Sequence, residues 1–146
     1  MCALSIQKVG GSFVCKIFDM YTEITQSLIY LLYSFYDNVY ITKPNTSRTA
    51  NSEKYIVCKG FKGIDNYYLI KLYVVIDNFK HITNNNMFVN QIFKYNFDNE
   101  FIKNLTNINT QFYNNQIKSI DKTLSLIKHN NLNIEFNNTI KEQTIL

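Results

Sequence analysis

Two ionisable residues stand inside runs that are otherwise apolar: Lys16 in GGSFVCKIF (Gly10 to Phe18) and Glu53 in ITKPNTSRTANSEKYIVCKGF (Ile41 to Phe61). An unpaired charge in an apolar layer is costly or becomes neutral, so such residues belong at strand ends, where functional groups collect. An amine and a carboxylate so placed can form an ion pair or exchange a proton with a bound group. Around Glu53, residues 43–62 add Lys43, Arg48, Lys54, Lys59 and Lys62 with no second acid. That strip of cations suits phosphates, and it equally suits a solvated loop running into an edge strand.

Other chemistries have little to work with. Cys2, Cys15 and Cys58 lack metal-ligand spacing and the even count of a disulfide frame. Cys15 and Cys58 lie in apolar runs and read as small buried hydrophobes of a reducing compartment. His81 and His129 are isolated, so no metal site is expected. Gly10-Gly11 follows a helical pattern and precedes a strand, the reverse of the dinucleotide-binding order. With 146 residues, 46% hydrophobic and 15% aromatic, the chain suits one packed domain. The formal net charge of +4 lies wholly in residues 1–97, because residues 98–146 carry five bases and five acids. The abundant Asn, as at Asn84 to Asn86, is compositional bias. No signal peptide is visible, and the longest apolar stretch, Tyr67 to Ile76, is roughly half a bilayer span. A soluble intracellular protein without membrane contact is expected.

The elements that position these residues follow from pattern. Ala3 to Val9 reads as the end of a helix stopped by Gly10-Gly11, and Ser12 to Phe18 as a strand buried on both faces. Thr22 caps a helix whose Ile24, Leu28, Leu31, Leu32 and Phe35 share one face. Asp37-Asn38 punctuates, Val39 to Thr42 is a strand ended by Lys43-Pro44, and residues 45–52 form an exposed loop. Glu53 to Phe61 is a strand with Tyr55 and Val57 on one face and Ile56 and Cys58 on the other. Its short link to the preceding strand requires an antiparallel pair. Asp65 caps a helix through Asn78, although Val74 to Ile76 would also suit a strand. After a loop around Asn84 to Asn86, a long helix starts near Asp98. Its stripe of Phe101, Leu105, Ile108, Phe112, Tyr113, Ile117, Ile120, Leu124 and Ile127 is expected to pack on its own domain. Residues 130–146 read as a short strand or a loose tail.

The glycine pair with its lysine-bearing strand (Gly10, Gly11, Phe13, Val14, Lys16) precedes a block of Lys43, Pro44, Ser47, Arg48, Ser52, Glu53, Tyr55, Val57 and Cys58. In that order they resemble the FtsJ-like RNA ribose 2′-O-methyltransferases, including viral cap-specific members, over roughly residues 3–63. The resemblance implies an α/β fold: the C-terminal half of a Rossmann-like methyltransferase sheet ending in an antiparallel strand pair, with an added helical C-terminal layer. Residues 1–63 would form the methyltransferase part and residues 64–146 the mainly helical extension. S-adenosylmethionine is the family's methyl donor and RNA, such as a capped mRNA 5′ end, its partner. Family members use a Lys-Asp-Lys-Glu tetrad, of which Lys16 matches the second lysine and Glu53 the glutamate. A ribose hydroxyl is a poor nucleophile, and a lysine with an ordinary pKa of about 10.4 serves as its base only when lowered toward about 7–8. A neighbouring cation would lower it, whereas Glu53 would act against that and is better suited to orienting Lys16 or the hydroxyl. Lys43 and Arg48 would hold phosphates, with Ser47 and Ser52 bonding phosphate or sugar.

The family's first lysine, its aspartate and its glycine-rich donor segment lie upstream of the matched region. The expectation is therefore an acceptor-side part that is inactive without a separate N-terminal half. A non-catalytic RNA-binding or scaffold remnant, and a structural module in which Lys16 and Glu53 are only an ion pair, stand as alternatives. The host cytoplasm or a virion, with the nucleus as alternative, is the expected location.

Overall fold

The structure is a computed structural model that describes residues 1–82 and 92–128. Its elements are α1 (Cys2–Ile6), β1 (Phe13–Ile17), α2 (Glu23–Phe35), β2 (Tyr36–Thr42), β3 (Lys54–Phe61), α3 (Asn66–Ile82) and α4 (Asn99–Lys128). The loop at Asn84 to Asn86 and the final strand or tail lie outside the described residues.

The three strands form one sheet in the order β1-β3-β2, with β3 antiparallel to both neighbours. The short loop between β2 and β3 permits no other pairing, as the sequence requires. β1 and β2 consequently run parallel, joined by α2 as a crossover. This is a mixed α/β architecture built on a small sheet.

Alternation sorts the side chains. Phe13, Cys15, Ile17, Ile56, Cys58, Val39 and Ile41 face the helices, and Ile56 and Cys58 are fully buried there. Val14, Lys16, Tyr55, Val57 and Tyr40 occupy the other face, where Val14 and Tyr40 are exposed. The expected burial of β1 on both faces is thus corrected: its burial alternates residue by residue, and no described element covers the second face.

Local signals set the helix ends. The Thr25 amide donates to Thr22 Oγ1 at the start of α2, with Glu23 in its first turn. Ser27, Ile29 and Leu31 are the buried positions of α2, whereas Leu28 of the expected face is exposed. The Tyr67 amide donates to Asp65 Oδ1 at α3 and the Phe101 amide to Asp98 Oδ1 at α4. Val74 to Ile76 are helical, within an α3 that runs on to Ile82. α1 ends at Ile6 rather than Val9, because Gln7 turns extended and its side-chain oxygen accepts from the Tyr36 hydroxyl. Gly10, at φ 82°, makes the following turn, and its amide bonds Phe61 O at 2.7 Å.

Asp37-Asn38 does not punctuate. α2 passes directly into β2 at Tyr36, which is buried and pairs with Phe61. Buried Tyr36 anchors the junction, so no turn is needed. An aromatic seam of Tyr30, Phe97, Phe101, Tyr95, Phe93, Tyr68 and Phe35, with neighbouring centroids 4.8–6.1 Å apart, ties α2 to α3, residues 93–97 and the start of α4.

The long stripe of α4 is only partly internal. Phe101 and Leu105 are buried and Ile108 and Phe112 half-buried, whereas Tyr113, Ile117, Ile120, Leu124 and Ile127 are exposed. Thirty helical residues reach about 45 Å, well beyond an eight-residue strand of about 26 Å, so the sheet cannot underlie the second half. No helix among the described residues is long and apolar enough to cross a membrane.

Gly60 sits in β3 at φ 72°, where an added Cβ would also collide with the Asp37 carboxylate. Gly60→Ala should therefore cost about 1–3 kcal/mol, read as a lower denaturant midpoint at unchanged slope. An unshifted midpoint would refute the strain.

Candidate functional site

The β1–β3 register places Lys16 opposite Tyr55, on the uncovered face. Glu53, two residues before Tyr55 and just ahead of β3, lies within reach of the same spot. Lys16 Nζ stands 3.3 Å from Glu53 Oε1, with about half of the lysine side chain exposed and 17% of the glutamate's. The two residues singled out by type and position therefore meet, although 37 residues separate them along the chain. Lys16 also lies over the Phe18 ring, 5.3 Å from its centroid.

Two further residues fix the carboxylate. The Tyr55 hydroxyl donates to Glu53 Oε1 at 2.5 Å. Asn51 Nδ2 approaches Oε2 at 3.4 Å, while the Glu53 amide donates to Asn51 Oδ1 at 3.1 Å. Tyr55 belongs to the block that carries the resemblance, yet its sequence gives no sign that it serves Glu53. Residues two apart on an extended segment share a face, which lets the Tyr55 hydroxyl reach Glu53.

The cationic strip does not form one surface. Lys43 Nζ donates to Asn51 O and to Glu53 O, the latter at 2.8 Å, and so braces the loop from within. Lys54 is buried and donates to Ser52 O at 2.8 Å and Phe18 O at 3.4 Å, below the sheet and against the Phe112 ring. Burial holds both ammonium groups below their usual pKa. Lys59 lies over Tyr40 farther along β3. Five residues separate it from Lys54, so the pleat sends the two to opposite faces. Arg48 is exposed and makes no side-chain hydrogen bond or ion pair among the described residues. Ser47 closes a turn through its amide to Pro44 O, and its Oγ is buried without a hydrogen-bond partner. Ser52 is half-buried, with its carbonyl taken by Lys54.

Burial pushes the Cys58 thiol up to about 11, which leaves it an inert core group, as expected; Cys15 is half-buried and Cys2 exposed.

Glu53 is held below the ordinary carboxylate range, chiefly by the Tyr55 hydroxyl; desolvation opposes this, and Lys16 and then Lys43 add to the lowering. A depressed carboxyl pKa stabilises the fold above its unfolded value, and that contribution fades as pH falls through the folded value. The carboxylate side of the pair is therefore charged at neutral pH and is lost on acidification. Tyr55→Phe should move the Glu53 carboxyl pKa upward toward 4.5, as followed by carbon NMR of the carboxyl. A titration identical to wild type would remove Tyr55 from the site.

Residues 1–61 match the family model described as FtsJ-like methyltransferase. The chain is similar to Cap-specific mRNA (nucleoside-2′-O-)-methyltransferase 1 of Mus musculus, at 37% identity over 133 residues, and of Homo sapiens, at 36% over 133. Each alignment covers 89% of this chain and 16% of the relative. The Drosophila melanogaster protein of the same name is 53% identical over 57 residues, 39% of this chain and 7% of the relative. The chain thus spans about a sixth of the length of the mouse and human relatives, and its matched segment contains β1, α2, β2 and β3 with both members of the ion pair. Residues 1–61 thus share the sequence pattern of the FtsJ-like methyltransferases.

Proposed function

We propose that this chain supplies the acceptor side of an RNA ribose 2′-O-methyltransferase acting at the mRNA cap. The observation that carries the reading is the contact of Lys16 with Glu53 at 3.3 Å, inside the segment matching the FtsJ-like family. On this reading β1, β3 and β2 form one end of a Rossmann-like sheet. Residues 1–63 make the methyltransferase part, and residues 64–146 the helical layer behind it.

The chemistry follows from the geometry. A 2′-hydroxyl must lose its proton as its oxygen forms a new bond to carbon, and Lys16 Nζ, as the free amine, receives that proton. Glu53 fixes where the amine points, and Tyr55 and Asn51 fix Glu53. Half-exposed Lys16 leaves room for a sugar above the sheet. Arg48 and Ser47 meet phosphate on the adjacent loop, Ser52 lies at the turn into β3, and Lys43 braces that loop while adding its charge.

S-adenosylmethionine is the donor used by this family, and two cavities of the described residues do not fit it. One cavity, of about 670 Å³, is lined by four lysines and no acid, a poor environment for a sulfonium cation. Another, of about 210 Å³, is lined by side chains such as Leu4, Ile17, Leu28 and Ile56, with Thr25 as its one hydroxyl and no carboxylate for ribose hydroxyls. It is also smaller than the usual ligand pocket of about 300–1,000 Å³.

Grafting residues 1–61 into the matching segment of the mouse relative tests the assignment. The chimera should methylate capped RNA, and Lys16→Ala should lower its rate by about 10²- to 10⁴-fold with folding unchanged. Glu53→Gln should reduce it in the same assay. Full activity in the Lys16 variant would overturn the proposal.

A further inference from the structure

Beside the ion pair lies a ring that the proton chemistry leaves unused. β1 and β3 pair as far as Ile17 opposite Lys54, so Phe18 and Glu53 are the next residues beyond the ladder. Residues two apart on an extended segment share a face, which sets Phe18 with Lys16 and Glu53 with Tyr55 on the side that no described helix covers. The contacts agree with that placement: Lys16 Nζ stands 5.3 Å from the Phe18 centroid and 3.3 Å from Glu53 Oε1. Phe18 is nevertheless 52% exposed and stands apart from the core cluster. Its main chain is tied down, because the Phe18 carbonyl accepts from Lys54 Nζ at 3.4 Å while the same ammonium donates to Ser52 O at 2.8 Å. The end of β1 is thereby fastened to the turn that carries Glu53. A single exposed apolar residue is ordinary on a protein surface. A ring fixed next to an amine and a carboxylate is a flat apolar surface at the place where a sugar would meet them.

We propose that Phe18 is the stacking surface for the base of the nucleotide whose ribose meets Lys16, and so sets the 2′-oxygen against Nζ. The inference rests on the acceptor-side reading above and adds to it the group that holds the base. Lys16 and Glu53 alone engage a sugar through its hydroxyls and leave the nucleotide free to turn. Residues two apart on a strand are about 7 Å from one another, a span that a ribose and its own base bridge. The Lys16 ammonium already lies over the ring, so the π surface is within reach of groups placed at the pair. Every base has a π face, and a phenyl ring has no hydrogen-bonding group with which to tell one base from another, so this surface adds affinity without choosing sequence.

The chain holds no tryptophan, so Phe18→Trp in residues 1–146 introduces a single indole whose emission reports on stacking. A single-stranded, uncapped RNA of about five nucleotides should quench it saturably. The same sugar-phosphate chain without bases should bind about tenfold more weakly and leave the emission unchanged. In fluorescence anisotropy with the labelled RNA, Phe18→Leu, which keeps an apolar side chain and removes the ring, should bind about tenfold more weakly than wild type, and Phe18→Tyr as tightly. Circular dichroism checks that the variants fold. An indole that the RNA leaves unquenched, a base-free chain that quenches it equally, or a leucine variant that binds as the wild type does would each overturn the proposal. The RNA lacks a cap and no methyl donor is added, so the outcome is independent of whether Lys16 and Glu53 catalyse. Methyl transfer in the chimera reports on the pair, and quenching reports on the ring.

Discussion

The structure depends on β3 lying antiparallel between β1 and β2. Its register sets Lys16 against Tyr55 and Ile17 against Lys54, and that single alignment decides which cation faces the open side and which is buried. A slip of one residue would set Lys16 opposite Lys54 or Ile56 and so bring both lysines onto one face. The pairing of Tyr36 with Phe61 and the bonds between Gly10, Gly11 and Phe61 pin the far end of β3. Proton chemistry at one end of the strand thus rests on hydrophobic anchoring at the other.

Around that strand the molecule divides its work between two faces. Helices cover one, joined by an aromatic seam whose rings lie edge-on or tilted, so the helical layer depends on shape more than on charge. The other face keeps Lys16 accessible. The loop before β3 links the two, because its cations turn inward: Lys43 and Lys54 satisfy main-chain carbonyls that would otherwise be unpaired at a bend.

Much of this was legible in the chain. The helix starts at Thr22, Asp65 and Asp98 follow from short acceptor side chains ahead of apolar periodicity, and each does hold a helix amide. The alternation of Tyr55 to Cys58 gave the two faces of β3. Reading Asp37-Asn38 as a turn failed because the burial of Tyr36 overrode local preference. Expecting β1 to be covered on both sides failed because an apolar run records residue type and carries no information about which neighbours are present. The α4 stripe was correctly placed on a helix, but periodicity says nothing about where the underlying sheet ends.

Residue identity by itself determined most helix starts, the antiparallel link between β2 and β3, and the choice of Lys16 and Glu53 as groups out of place in apolar strands. Those are consequences of local sterics, short connections and the cost of a buried charge, which act within a few residues. Only the tertiary structure decided that Lys16 reaches Glu53, that Tyr55 and Asn51 orient the carboxylate, and that Lys43 and Lys54 turn inward. Each of these is fixed by strand register and helix packing, which bring together atoms whose separation along the chain carries no local signal.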